Sequence, residues 1–354
     1  MIFELYDLNV SPMLLAVVFG AVIGLLFGAA AQISRFCLRR GLVAGPDRRA
    51  ALGVWLFALF VATVATQLAA SFGWIDLSGH RFAAASVPLG AAVIGGLAFG
   101  AGMVLTRGCV SRLTVLGGSG NLRALFVLLV FAVVAHATLK GVLAPLRVSA
   151  GSLTVDLGSA ATAHGLPGGA ALWTAVLGAL CLGLVLRSGA ALRHLALAGV
   201  IGVLVPLGWF GTGVFLYDDF DPIALETLSF TAPWADTLFW SIASTSIPAG
   251  FGTGLLAGVI VGAAVSAFIR RETELVSFES PAQTLRYLAG GALMGFGGVL
   301  AGGCTVGAGL SGFSSLSVAA GLALLSMMAG AVLTDRAVDR PRRGTVAGFA
   351  TPAE

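Results

Sequence analysis

The sequence predicts an all-α polytopic membrane protein of about nine transmembrane helices in two inverted repeats with re-entrant loops. Three observations point there. The 354-residue chain is 58% hydrophobic and 10% charged, with a mean hydropathy of +0.98, whereas soluble domains carry roughly 25% charged residues. Its apolar runs reach, or nearly reach, the length of about 20 residues that a bilayer requires. One stretch also occurs twice: GGLAFGAGMVLTRGC from Gly95 and GGALMGFGGVLAGGC from Gly290 agree at eight of fifteen positions, at a constant offset of 195 residues. Paired glycine-interrupted hydrophobic segments in two halves of a chain mark internal repeats whose broken helices meet a substrate near mid-membrane.

The predicted spans cover about residues 12–32, 50–70, 88–105, 124–143, 169–186, 195–212, 238–269, 287–301 and 316–333. The N-terminus contains Glu4 and Asp7 but no basic residue, so the first run reads as a retained span and not a cleaved signal. The 287–301 run is short, and the 238–269 run is broken by Pro248, Gly250, Gly252 and Gly254. The 50 glycines fit a membrane interior, where small residues let helix backbones approach.

Cytoplasmic connections accumulate basic residues, which here are arginines apart from Lys140. They concentrate at 39–49 (Arg39, Arg40, Arg48, Arg49), 107–123 (Arg107, Arg112, Arg123), 187–193, 270–286 and the tail, whereas 213–237 carries Asp218, Asp219, Asp221, Glu226 and Asp236 and no basic residue. Nine crossings with the N-terminus outside and the C-terminus in the cytoplasm satisfy every loop. On that path the twin stretches point in opposite directions, so the repeats are predicted to be inverted. The single membrane domain (1–354) then divides into a first half (1–145), a linker helix (169–190), an inverted second half (195–334) and a cytoplasmic tail (335–354).

The chemistry concentrates in four connections: 34–41 around Cys37, 106–121 around Cys109, 229–233, and 302–311 around Cys304. Non-helical backbone at membrane depth must be satisfied by protein or line a water-filled cavity, so these loops are expected to line a passage. Gly108 and Gly303, each before a cysteine, are expected to allow a tight turn and close approach by a ligand. Cys181, inside a uniformly apolar run, reads as packing. Arg39, Arg40, Arg48 and Arg49 read as orientation signals, while Arg107 and Arg112 bracket Cys109 and raise the local potential for an anion. No Asp or Glu lies within an apolar run, which disfavours a carboxylate proton or sodium relay. His136 and Lys140 are the ionisable exceptions, and Lys140 reads as snorkelling toward the outer interface. Cysteine spacing supports neither a disulfide framework nor a zinc site, no metal or cofactor is expected, and no basic patch with interleaved aromatics suggests nucleic acid.

Together S-R-F-C at 34–37, G-x-G-M-x4-G-C at 100–109 with G-G-S-G-N-L-R at 117–123, S-F-T-A-P-x-A-D-T-L at 229–238 and A-x-G-C-T-x-G-x-G-L-S-G at 301–312 resemble the YeeE/YedE family of bacterial inner-membrane sulfur transporters over nearly the whole chain. The resemblance implies a nine-span, hourglass-like fold, thiosulfate uptake and three loop cysteines that contact the substrate in turn, here Cys37, Cys109 and Cys304. Gly108, Gly303, Thr305, Arg107 and Arg112 complete the expected substrate site. Arg107 and the Cys-Val-Ser-Arg continuation depart from the more glycine-rich family pattern and bear on which small sulfur anion is preferred.

The leading expectation is a non-enzymatic importer of thiosulfate or a similar small sulfur anion. One alternative keeps the scaffold and changes the cargo to selenium or another sulfur species. Another is a membrane thiol oxidoreductase or sulfur relay that hands persulfide to a cytoplasmic sulfur-carrier protein, although the cysteines are far apart in sequence and such chemistry needs a resolving thiol nearby.

Overall fold

A computed structural model describes residues 11–217 and 223–339 of the chain. Asp218, Asp219 and Asp221, the N-terminus with Glu4 and Asp7, and the tail with Arg340, Arg342 and Arg343 lie outside the described residues.

Helix α1 (Pro12–Ser34) starts where Ser11 accepts the Leu14 N–H at 3.3 Å and Pro12 presets the first turn. It stops at Arg35, which adopts a left-handed φ of 52°. A short α2 (Leu38–Leu42) then leads into α3 (Arg48–Ser71). The same grammar recurs with α4 (Leu89–Leu105), the short α5 (Val110–Gly118) and α6 (Leu122–Lys140), whose first turn is capped by Asn121. A short α7 (Ala144–Gly151) follows, and strands β1 (Ser86–Pro88) and β2 (Thr154–Asp156) form a two-stranded antiparallel ribbon.

Helix α8 (Gly169–Leu186) packs on α3 at the periphery, with only 11% of its span buried. Helix α9 (Leu192–Phe210) runs into a π-helical turn at 211–215. The apolar run at 238–269 separates into α10 (Thr231–Ile242) and α11 (Phe251–Ile269). Pro248 in the intervening loop lacks an N–H and keeps the preceding residue out of helical conformation. Helix α12 (Pro281–Leu300) starts at a Ser280 cap and ends before the Cys304 turn, which continues through a π-helical stretch at 307–312 to α13 (Val318–Thr334).

Among the described residues, eight helical segments are long and apolar enough to cross a membrane: Pro12–Leu42, Arg48–Ser71, Leu89–Gly118, Leu122–Lys140, Gly169–Leu186, Leu192–Phe215, Phe251–Ile269 and Val318–Val338. Helix α12, at the expected 287–301 span that these eight leave out, has 20 residues, but its first turns carry Gln283, Thr284 and Arg286.

Packing rests on glycine. Gly20, Gly24 and Gly28 of α1 face Gly254, Gly258 and Gly262 of α11 so closely that a Cβ on any of them would strike the partner's backbone carbonyl. Backbones can approach this closely only through small residues, the usual membrane solution to helix association. Helices α4 and α12 cross antiparallel in the same way: a Cβ on Gly95 would sit 2.7 Å from the Gly297 oxygen, and one on Gly102 would sit 2.5 Å from the Gly290 oxygen. The other large contacts pair α3 with α9, α4 with α13 and α6 with α12.

Replacing Gly24 or Gly258 by leucine is therefore expected to cost at least about 1–3 kcal/mol through overpacking, whereas Gly183, whose missing Cβ faces open space on α8, should tolerate leucine. Thermal unfolding of detergent-solubilised variants checks this, and equal melting temperatures for G24L and G183L would contradict the glycine packing.

Candidate functional site

Four short or irregular segments begin deep in the protein. Cys37 stands at the N-terminus of α2, Cys109 at that of α5 and Thr231 in the first turn of α10, while the Cys304 turn opens the 307–312 stretch. Helix N-termini present unpaired N–H groups and a positive dipole end.

The fold brings Cys37 and Cys109, 72 positions apart in sequence, side by side, and sets the Cys304 turn against them through Thr305. Cys37, Cys109 and Cys304 are all buried and reduced. The side chains of Cys37 and Cys109 touch, and the Cys109 thiol also contacts Ser111 Oγ at 3.2 Å. The hydroxyl of Thr305 lies beside the Cys109 thiol, and that of Thr231 lies beside Cys304. Neither hydroxyl makes a well-aligned hydrogen bond, although both are buried. The Gly307 N–H donates to Cys304 Sγ at 3.3 Å. Cys181 is buried on α8, away from these contacts.

The surrounding frame is tied down by side chains. Trp234 Nε1 of α10 donates to Thr114 Oγ1 of α5 at 2.9 Å, and Ser311 Oγ donates to the Leu228 carbonyl at 2.7 Å. Phe27 packs against both Phe36 (centroids 6.4 Å apart) and Phe230 (5.2 Å), the residues preceding Cys37 and Thr231.

The two arginines that flank Cys109 in sequence part company in space. Arg112 is partly buried, donates to the Ala31 carbonyl at 3.4 Å and lies within electrostatic reach of the Cys37 and Cys109 thiols. Arg107 is exposed, and its carbonyl accepts from Arg39 Nη1 at 3.4 Å. The glycines also differ. A Cβ on Gly303 would fall 2.6 Å from the Ala308 nitrogen, so close approach demands glycine there. A Cβ on Gly108 would make only ordinary contacts, with the Leu113 side chain at 3.4 Å and that of Arg112 at 3.7 Å. The left-handed position of the first twin is Arg107 (φ 60°), matching Gly302 (φ 74°) of the second, and a side chain there costs on the order of 1 kcal/mol.

Two cavities adjoin at Glu226, and the smaller reaches the Cys304 turn. One, of about 220 Å³, is lined by His80, Arg81, Trp209, Glu226, Ser229 and Gly307. The other, of about 310 Å³, includes Lys140, Glu226, Asp236 and Trp240. Arg81 Nη2 donates to the Gly302 carbonyl at 2.9 Å, fixing a cation over the turn. Lys140 thus faces a cavity with Asp236 in reach, and His136 stacks on Phe239 at 4.6 Å. Sequence reasoning missed Arg81 and Glu226 because loop residues carry no periodic signal. Thr231 lay inside a recognised motif without a role.

The carboxyl of Glu226 is enclosed by protein even though the residue as a whole is only half-buried. Burial first, and the neighbouring Asp236 second, raise its pKa to about 7 against an opposing pull from Arg81. The cavity therefore presents a carboxyl near its titration point beside the fixed Arg81 cation.

The sulphur transport family matches residues 33–333 of the chain. A thiosulfate transporter TsuA of Spirochaeta thermophila is 28% identical over 336 residues, covering 88% of this chain and 96% of the relative. A thiosulfate transporter TsuA of Escherichia coli is 25% identical over 321 residues, covering 82% of this chain and 86% of the relative.

Because Glu226 keeps its proton in the folded protein up to about pH 7 while an unfolded carboxyl loses it above about 4.3, its contribution to stability should fall as pH rises through that window. Glu226→Gln removes the contribution. Melting temperatures measured between pH 4.5 and 7.5 should decline more steeply for the unaltered protein than for the variant, and parallel curves would contradict the assignment.

Proposed function

The chain belongs to the sulphur transport family, and on that premise we propose that it imports thiosulfate or a similar small sulfur anion across the bacterial inner membrane, past Cys109, Cys304 and Cys37. It is a multi-pass membrane protein, and its family and relatives are transporters, not enzymes. The observation that carries the finer reading is that the Cys37 and Cys109 thiols lie side by side at one buried place, each at a helix N-terminus, with the Cys304 turn reaching them through Thr305.

Inverted repeats are the arrangement we propose for the scaffold. Its support is that the contacts of one half recur in the other: α1 packs on α11 as α9 packs on α3, and α4 packs on α13 as α12 packs on α6. The antiparallel crossing of α4 and α12 pairs Gly95 with Gly297 and Gly102 with Gly290, positions that exchange under the 195-residue offset. The arginine-rich loops support an external N-terminus and a cytoplasmic C-terminus.

In this mechanism the cavities beside Arg81 admit the anion, the Cys304 turn receives it, and the Cys37–Cys109 pair passes it on. Neutral thiols suit the task, because a thiolate facing a dianion would repel it. They donate weak S–H bonds and present polarizable sulfur to a soft sulfur atom, while Arg112 offsets the substrate's charge from the side. No covalent bond need form. A cytoplasmic sulfur-carrier protein is the partner we propose on the inner side. The contact between Cys37 and Cys109 meets the proximity requirement of a thiol oxidoreductase, but both thiols are buried and the relatives are transporters.

Single alanine variants of Cys37, Cys109 and Cys304 are each expected to lower thiosulfate uptake roughly tenfold or more, with Cys181→Ala unaffected. The check is radiolabelled uptake in cells that depend on this sulfur source, and normal uptake in all three variants would end the proposal. Competition by selenium and other sulfur species in the same assay separates the cargo alternatives.

A further inference from the structure

We infer that Thr231 is a substrate-binding residue that occupies, in the second half of the chain, the place Cys37 holds in the first, so that its hydroxyl engages an oxygen of the sulfur anion while Cys304 engages the sulfur. The inference rests on the transport reading above and refines its site.

The positional argument is internal to the chain. Phe36-Cys37 and Phe230-Thr231 are separated by 194 residues, beside the 195 that separates Cys109 from Cys304. Both phenylalanines pack on Phe27. Cys37 heads the short helix before α3, and Thr231 heads the one before α11. Cys37 touches Cys109, and Thr231 touches Cys304. The two pairs map onto each other, with a hydroxyl where the fourth thiol would be.

Apart from the neighbouring Cys304 thiol, the hydroxyl has no well-placed partner in the protein. At the start of a helix a threonine ordinarily caps a free N–H, yet α10 has no side-chain cap bond. Thr106, Thr114, Thr138 and Thr212 each donate to the carbonyl four residues back, whereas Thr63 and Thr66 of α3 share with Thr231 the lack of a partner but stand away from the thiols. Thr231 does neither: it is 4% exposed, and its Oγ1 has no hydrogen-bond partner. A buried hydroxyl without a partner is costly, and a ligand oxygen arriving at Cys304 would satisfy it. Thr305, equally unpartnered, stands in the same relation to Cys109.

A thiol beside a hydroxyl suits one ligand class. Thiosulfate-like anions carry a soft terminal sulfur and hard oxygens and match both groups. Sulfate offers oxygens alone and sulfide offers sulfur alone, so each leaves one group unsatisfied. The pair therefore selects as well as binds.

The experiment measures initial rates of thiosulfate uptake in proteoliposomes for T231V, T231S and T231C beside C304A, normalised to reconstituted protein. T231V, which keeps the shape and removes the donor, should raise KM about tenfold or more and weaken discrimination between thiosulfate and sulfide in competition. T231S should stay within about twofold of the unaltered protein, and T231C should fall between the two. Unchanged KM in T231V, or a loss in T231S equal to that in T231V, overturns the role of Thr231. Unimpaired uptake by C304A would instead count against the transport reading, so the two failures are distinguishable. If T231V does not reconstitute, T231A replaces it under the same criteria.

Discussion

The structure depends on one constraint: a backbone that leaves helical geometry in a buried, apolar interior must have its N–H and C=O groups satisfied by protein. This chain breaks its helices near Cys37, Cys109, Thr231 and Cys304. The breaks survive because neighbouring segments close over them, through the Trp234–Thr114 and Ser311–Leu228 hydrogen bonds and the Phe27 ring shared by Phe36 and Phe230. At these breaks the buried Thr231 and Thr305 hydroxyls are left without a hydrogen-bond partner beside the thiols, and these are groups a small anion can use.

Glycine makes this closure possible. Where Gly24 meets the Leu255 carbonyl and Gly258 meets that of Ala21, the helices lie too close for any side chain. The long helices thereby form a rigid wall against which the broken ones are held. The same economy explains why the Cys304 turn needs Gly303, pressed against the Ala308 nitrogen, while its counterpart Gly108 has room, and why Arg107, with its side chain pointing out, can hold the left-handed position that Gly302 fills in the second twin with open space around it.

Charge is placed with similar care. Arg112 and Arg81 sit beside the thiol cluster and the Cys304 turn, and each is held by a backbone carbonyl, Ala31 and Gly302 respectively. A cation anchored by a neutral dipole stays available to a passing anion in a way that a tight ion pair would not. Glu226, pushed toward neutrality by burial, reduces the repulsion that a carboxylate in the cavity would otherwise exert.

Membrane residence, most span positions, the twin glycine stretches and the three loop cysteines were legible in the sequence, because apolar run length, small-residue spacing and repetition are local, one-dimensional properties. Their meeting place was not. That Cys37 touches Cys109, that Arg112 faces the thiols while Arg107 faces away, that the run at 238–269 breaks into two helices, and that Arg81 and Glu226 share a cavity over the Cys304 turn follow from contacts between segments many residues apart. Only the tertiary structure decides these, since the direction of a side chain and the company it keeps depend on how helices cross, and crossing angles leave no mark in the order of residues.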